Sequence, residues 1–411
     1  MKSLSKLYRI GPGPSSSHTI APFNAAKAFS QKLPKGVTAI RATFYGSLAL
    51  TGQGHHSEFA IDEAFKPLPV QMIFDTVAKK PHPLTMKFEA MKGEKALKEA
   101  TYISLGGGEL LSHDDKSVNE KDIYPFHNFQ EIKDYMAKEH LADLKAFCLD
   151  FEDPAIDDYL LNAIKEMFTA VERGLSEEGP IPANNNPKLQ VSRTAKAMHG
   201  VAASIADEEA RRTMLISSYA YAVSEGSACG EAVVTAPTCG SSGVLPSVLY
   251  YLHHDKGVSL ERCRDALYAA GIFGNLVKQN ASIAGSIGGC QAEIGTASSM
   301  AAAALCYLDG LSLHQQEYAA EVAMEHFLGL SCDPVDGYVI IPCIERNGIG
   351  AVRAYTAYVY AKYVAPIRQN KVSFDNVVAA MKLTGDSLKK AYKETAQGGL
   401  AEILKASQGS K

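Results

Sequence analysis

Residues 281–306 read ASIAGSIGGCQAEIGTASSMAAAALC, and 16 of these 26 residues are Ala, Gly or Ser. A segment with so few large side chains can be buried only if neighbouring helices approach its backbone closely. The stretch therefore predicts a tight all-helical core built around it. The same character runs from about Ser192 onward, where Ala, Gly and Ser dominate and alternating strand patterns almost vanish. Residues 191–411 are read as one all-helical unit.

Moving toward the N-terminus, Phe129 to Phe147 and Ala155 to Leu175 place apolar residues near 3.6 spacing and read as helices, with a break at Asp153-Pro154. Gly179 to Leu189 (GPIPANNNPKL) is rich in Pro and Asn and reads as a loop or linker with no regular structure. Residues 151–190 thus form a helical connection and linker. Before them the pattern is α/β. Val37 to Tyr45 (VTAIRATFY) alternates apolar and polar residues with β-branched enrichment, as a strand does. Gln71 to Val77, Thr85 to Ala90 and Ala100 to Leu105 are further strands, and Gly106-Gly107-Gly108 ends the last in a turn. Ser15 to Thr19 precede the Ala-rich stretch Ala21 to Phe29, so a hydroxyl residue caps a helix there. The fold class expected is α+β: an N-terminal α/β domain over 1–150, then a larger all-helical domain.

Of the 411 residues, 46% are hydrophobic and 21% charged, which excludes a disordered chain. Lys+Arg total 41 against 45 Asp+Glu, a net charge of -4 that offers no footprint for nucleic acid or an anionic membrane. The first residues lack the apolar core of a secretory signal. Apolar runs such as Met300 to Leu308 and Tyr338 to Ile344 are too short to span a bilayer. The expectation is a cytoplasmic protein acting on a small molecule.

Eight cysteines are present: Cys148, Cys229, Cys239, Cys263, Cys290, Cys306, Cys332 and Cys343. In a reducing compartment they are not structural disulfides, and buried thiols are the ordinary reading. Cys290 (in GSIGGCQAEIG), Cys332 (opening CDPVDG) and Cys343 (closing VIIPC) stand out. Their separations of 42 and 11 residues match no zinc-finger spacing. A continuous helix from 332 to 343 would hold those two sulfurs roughly 16 Å apart. Pro334, Gly337 and Pro342 forbid that helix, so the segment loops and the thiols are free to converge. Iron–sulfur ligation and three buried thiols at helix ends both remain open on this evidence.

Other polar motifs carry similar pairs of readings. Ser15-Ser16-Ser17-His18-Thr19 at a helix start either holds a carboxylate or phosphate or caps the helix beside an exposed histidine. Gly52-Gln53-Gly54-His55-His56 is a ligand-facing turn or a surface loop. Thr235 to Gly243 (TAPTCGSSG) is a hydroxyl-rich break suited to a small zwitterion, and Asn275 and Lys278-Gln279-Asn280 add polar groups before Cys290. Lys278 reads as a Schiff-base candidate or a capping lysine, and Lys393-Glu394 as a buried ion pair or, more simply, a solvated helix end.

Taken together, GPGPSSSHT, YGSLALTGQGHHSE, TAPTCGSSGVLPSVL, FGNLVKQNASI, GCQAEIG, MEHFLGLSCDPVDG, PCIERNGIGA and YKETAQGGLA resemble the single-chain iron–sulfur-dependent L-serine dehydratases (L-serine ammonia-lyases), over nearly the whole chain. The resemblance implies an N-terminal β domain carrying SSSHT and a helical α domain holding a [4Fe–4S] cluster on Cys290, Cys332 and Cys343. It implies L-serine as substrate, pyruvate and ammonia as products, and a role in amino-acid catabolism feeding gluconeogenesis. His55 is the first choice for the base and His18 the second. Ser15, Ser16, Ser17, Thr19, Thr238, Cys239, Gly240 and Asn280 are the expected substrate-binding residues. Three protein ligands would leave one iron open, so oxygen lability is expected too. The chain departs from the family pattern at Asp336, Thr296 and Ser298, and its final AEILKASQGSK has no cysteine to serve as a tail ligand. Alternatives are a lyase for L-cysteine or L-threonine, a pyridoxal-phosphate dehydratase using Lys278 or Lys393 with Gly106 to Gly108, and a non-catalytic amino-acid sensor. A homodimer is compatible with the small-residue helices.

Overall fold

The computed structural model describes residues 1–52, 54–55, 57–183, 189 and 191–408. Gln53 and His56 of the histidine turn and residues 184–188 of the Pro/Asn loop lie outside them. The alternating segments form one mixed five-stranded sheet. Its order is Val70–Asp75, Ala39–Tyr45, Thr85–Lys92, Lys95–Gly106, Glu109–Leu111. The first pair is parallel, with Ile40 opposite Val70, and the rest are antiparallel. Helices Ala21–Ser30 and Ser57–Phe65 pack together over this sheet. Between them and the strands, Phe29, Phe44, Phe65, Phe88 and Tyr102 are fully buried.

The small-residue stretch is the centre of the helical unit. Helix Thr296–Leu308 is buried at every position except Tyr307. It packs against Leu260–Asn280, Leu313–Glu325, Cys343–Tyr363 and Val244–Tyr250. Short hydroxyls stitch these neighbours together: Ser298 Oγ donates to the Gly350 carbonyl at 2.9 Å and Ser299 Oγ to the Ala320 carbonyl at 2.7 Å. Thr296 Oγ1 donates to the Ala292 carbonyl one turn back. Ser298 therefore ties two helices together, whereas the Thr296 bond stays within its own helical run.

Three elements differ from the sequence reading. The helix expected over 129–147 is split into Phe129–Lys138 and Leu144–Leu149. His140 between them takes φ +56°, and Asp143 caps the second helix by accepting from the Ala146 N–H. The linker begins with a two-residue strand, Pro180–Ile181, paired with Val191–Ser192. Most consequential is a strand inside the helical unit, Ala232–Val234, which pairs antiparallel with Ile10–Pro12. By apolar packing, Met1, Leu4, Leu7 and Tyr8 and the segment from Tyr124 to Cys148 belong with the helices. Among the described residues no helix is long and apolar enough to cross a membrane.

This small pairing brings the two units together at one place. It sets Ser15–Thr19 beside the loop that starts at Thr235, whose Oγ1 donates to the Leu7 carbonyl and accepts from the Arg9 N–H. At the end of Ala39–Tyr45 the chain turns through Gly46 at φ +56°, where an added Cβ would lie 2.5 Å from the Pro83 carbonyl oxygen. Only glycine fits there. The turn launches the short helix Ser47–Thr51, which aims Ser47 and His55 at the helical unit.

Candidate active site

One wall of the site comes from the sheet unit and is saturated with hydrogen bonds. His18 is fully buried, not exposed as a simple cap would leave it. Ser15 Oγ accepts from the His18 N–H, fixing the first turn. Ser17 Oγ lies 2.9 Å from His18 Nδ1, and Ser47 Oγ lies 3.1 Å from Nε2. Ser47 donates its hydrogen to the Glu394 carbonyl at 2.9 Å, so toward His18 it accepts. His18 is thus the Nε2–H tautomer, its Nδ1 accepting from Ser17. Burial, with His55 adjacent, holds its pKa well below the ordinary histidine value.

His55 stacks on His18, ring centroids 4.3 Å apart and planes 19° apart. Its Nδ1 lies 2.7 Å from the Thr51 carbonyl, which can only accept, so Nδ1 carries the proton. The lone pair of the neutral ring therefore sits on Nε2, 3.6 Å from Glu394 Oε1. Thr19 Oγ1 donates to the His55 carbonyl at 2.6 Å and Ser57 Oγ to the His18 carbonyl. Of the hydroxyls expected to bind substrate, those of Ser15, Ser17 and Thr19 bond within this wall, to His18 and His55. Ser15 also lines the cavity; Ser16 is buried in the same turn.

The opposite wall comes from the helical unit. Cys290, Cys332 and Cys343 arrive from three separate elements and line one cavity with Ser15, His55, Gly240, Glu293 and Glu394. The loop expected between 332 and 343 is present, turning at Val335–Gly337 with Asp336 at φ +51° before Cys343 opens its helix. Sulfurs of Cys290 and Cys332 and a Glu293 oxygen lie within 4.8 Å of one another. A hydrogen bond from Cys332, with Arg346 nearby, lowers the Cys290 thiol to about 6. The same bond and burial push Cys332 well up, and burial does so for Cys343. Arg346 is itself fixed, donating to the Ser331 carbonyl at 2.7 Å and Asp333 at 3.1 Å. Burial, reinforced by Cys290, lifts the Glu293 carboxyl to about 8 despite a 2.7 Å bond from Thr238 Oγ1. Burial likewise lifts Glu394 well above the carboxylate range, with Glu293 and Cys290 adding to it.

This donor set fits a metal–sulfur cluster. Three thiols from different elements face one buried space. Glu394 Oε2 is buried there with no hydrogen-bond partner, an unfavourable state for a lone acceptor. The backbone beside the sulfurs is kept bare. A Cβ on Gly285 would lie 2.9 Å from Cys332 Sγ and 2.7 Å from Glu293 Oε2, and one on Gly240 2.9 Å from Glu293 Oε1.

Not every expected residue joins the site. Asn280 does not: its amide donates to the His127 carbonyl at a half-exposed helix end. Cys239 is buried, but its sulfur faces the Pro12 carbonyl. Thr238 reaches the site through Glu293. Lys278, read above as a possible cap, is buried and paired with Glu109 at 2.6 Å, and it lines a different cavity. Glu394 is no solvated helix end: it is buried at φ +55° on the cavity wall. Glu293 and Glu394 on the cavity wall, and Ser47 and Arg346 beside it, were not among the residues expected at the site.

Comparison with known proteins supports the same division of the chain. Residues 3–65 match the serine dehydratase beta chain family and residues 89–401 the serine dehydratase alpha chain family. The chain is 37% identical to the L-serine dehydratase of Streptomyces coelicolor, over 97% of this chain and 98% of that one. It is 36% identical to L-serine dehydratase 1 of Escherichia coli (98% and 99% covered) and 35% identical to the L-serine dehydratase of Helicobacter pylori (98% and 99%). The chain belongs to the serine dehydratase family, with the beta and alpha modules joined in one polypeptide.

Proposed function

We propose that this chain is an L-serine ammonia-lyase, converting L-serine to pyruvate and ammonia, with a [4Fe–4S] cluster held by Cys290, Cys332 and Cys343. The observation that carries the reading is the convergence of those three thiols opposite His55 in one buried cavity. Bound there, the cluster supplies Lewis acidity toward the substrate's oxygens. The chain supplies the rest. His55 Nε2, the basic nitrogen of the fixed tautomer, takes the α-proton, while Thr51 and Thr19 hold the ring in place. His18 already has both nitrogens engaged by hydroxyls and acts by stacking under His55. Loss of the α-proton and of the β-hydroxyl, as water, gives 2-aminoacrylate. That enamine tautomerises to an imine and hydrolyses to pyruvate and ammonia. The eight free cysteines suit a reducing cytoplasm.

The test is pyruvate release from L-serine by anaerobically purified protein, beside L-threonine and L-cysteine at equal concentration. L-serine is expected to give the highest kcat/KM. An iron-replete chain that releases no keto acid from any of the three contradicts the reading.

A further inference from the structure

Arg346 touches the segments that carry all three cysteines of the cavity. It stands three residues after Cys343 on helix Cys343–Tyr363, so it shares a helix face with that thiol. Its Nη1 donates to the Ser331 carbonyl at 2.7 Å and its Nη2 to Asp333 Oδ1 at 3.1 Å, two bonds that clasp the chain on either side of Cys332. The Cys290 sulfur lies within hydrogen-bonding reach of the same guanidinium. Only 16% of the Arg346 side chain and 5% of the Asp333 side chain is exposed. A guanidinium carries five N–H donors in a rigid planar fork, so one side chain can serve all these acceptors at once.

The clasp continues into the C-terminal chain. Asp333 Oδ2 accepts from the Leu400 N–H at 2.9 Å, at the start of helix Gly399–Gln408. A Cβ on Gly399 would lie 2.2 Å from that oxygen, so the chain closes on Asp333 only where it has no side chain. The Cys332 backbone is held from the same direction: its N–H donates to the Tyr392 carbonyl at 2.9 Å, and its carbonyl accepts from the Glu394 N–H at 2.8 Å. Cys290 and Cys343 stand on helices, but Cys332 does not, so its place depends on these bonds.

We propose that Arg346 is the positioning residue of the metal centre: its guanidinium fixes the Cys332 loop against Cys290 and Cys343, donates to the Cys290 sulfur, and through Asp333 ties the arrangement to the C-terminal helix. A group that hydrogen-bonds a metal ligand both orients the ligand and tunes the metal it holds. The inference rests on the iron–sulfur reading given above.

The experiment follows iron release to a ferrous chelator, and the reduction potential of the cluster, in the anaerobically purified full chain. Arg346→Met should release iron about 10–100-fold faster than the wild type, the usual cost of losing such a partner. Its potential should fall, because a positive charge and a hydrogen bond to sulfur are both removed. Arg346→Lys keeps the charge without the fork, so iron release should stay fast while the potential returns toward the wild-type value. Gly399→Ala leaves Arg346 and every cysteine in place but crowds Asp333, and it should speed iron release less than Arg346→Met does. Ser299→Ala, a lesion in helix packing, should move neither readout. Iron-loaded Arg346→Met with wild-type release and potential overturns this inference alone. So does an equal change in Ser299→Ala, which would mark a general loss of stability. If Arg346→Met does not fold, Gly399→Ala releasing iron at the wild-type rate overturns it. A wild type that binds no iron overturns the metal reading and this inference with it.

Discussion

The two units of this molecule are packed on opposite principles. Beneath the sheet, Phe29 meets Phe65 edge-on at 6.2 Å and Phe65 meets Phe88 at 5.5 Å, with Tyr102 beside them. Large interlocking rings fill that core. In helix Thr296–Leu308, seven of 13 residues are Ala or Ser, and the space is filled by neighbouring helices. The difference matters at the site. A core of small residues brings helix ends close enough for thiols from three elements to share one cavity. The sheet core instead holds a rigid edge, from which a hydrogen-bonded pair of histidines faces those thiols. In the proposed function, one unit supplies the groups that move a proton and the other the groups that hold a metal.

If the walls have these separate duties, a lesion in one leaves the other intact. His55→Ala should lower kcat by about 10²–10⁴-fold, the usual contribution of a general base, with iron content unchanged. His18→Gln should cost less, because its nitrogens already hold serines. Equal losses in the two variants would merge their roles. Stopped assays with iron analysis on the same samples decide this.

The packing contrast makes its own predictions by size. Phe88→Ala should cost about 3–5 kcal/mol, the loss of a buried ring plus its cavity. Ala303→Leu, fully buried in the helical core, should cost about 1–3 kcal/mol by overpacking. Ser299→Ala, which removes one cross-helix hydroxyl bond, should cost about 1 kcal/mol. Denaturant titrations measure all three. An Ala303→Leu variant as stable as the wild type would mean that the helices are not in close contact.

Much of this was legible in the sequence. Four strands of the sheet were located, Ala39–Tyr45 by an alternation that its buried positions explain, and small-residue density announced the helical core. The strand Ala232–Val234 was not legible: it has three residues, and its partner Ile10–Pro12 lies more than 200 positions away. Spacing did not reveal the convergence of Cys290, Cys332 and Cys343, since the loop between the last two sets their geometry. It was read through resemblance to a family. Glu293 escaped, and Glu394 was read as a solvated helix end over a buried pair, because glutamate is almost never buried, and only tertiary contacts place these two on the cavity wall. Asn280 lies outside the cavity lining for the converse reason: sequence adjacency to Cys290 does not carry it past the helix end at which its amide donates to the His127 carbonyl.

The central claim is that Cys290, Cys332 and Cys343, and no other thiols, hold the metal centre. Iron and acid-labile sulfide, measured per chain after anaerobic purification of the wild type, each single Cys→Ser variant of these three and Cys239→Ser, tests it most directly. The account predicts about four irons and four sulfides in the wild type and in Cys239→Ser, as a [4Fe–4S] cluster requires, and loss of both in the other three. A wild type without iron, or a Cys239→Ser variant that loses as much as Cys290→Ser, would contradict it.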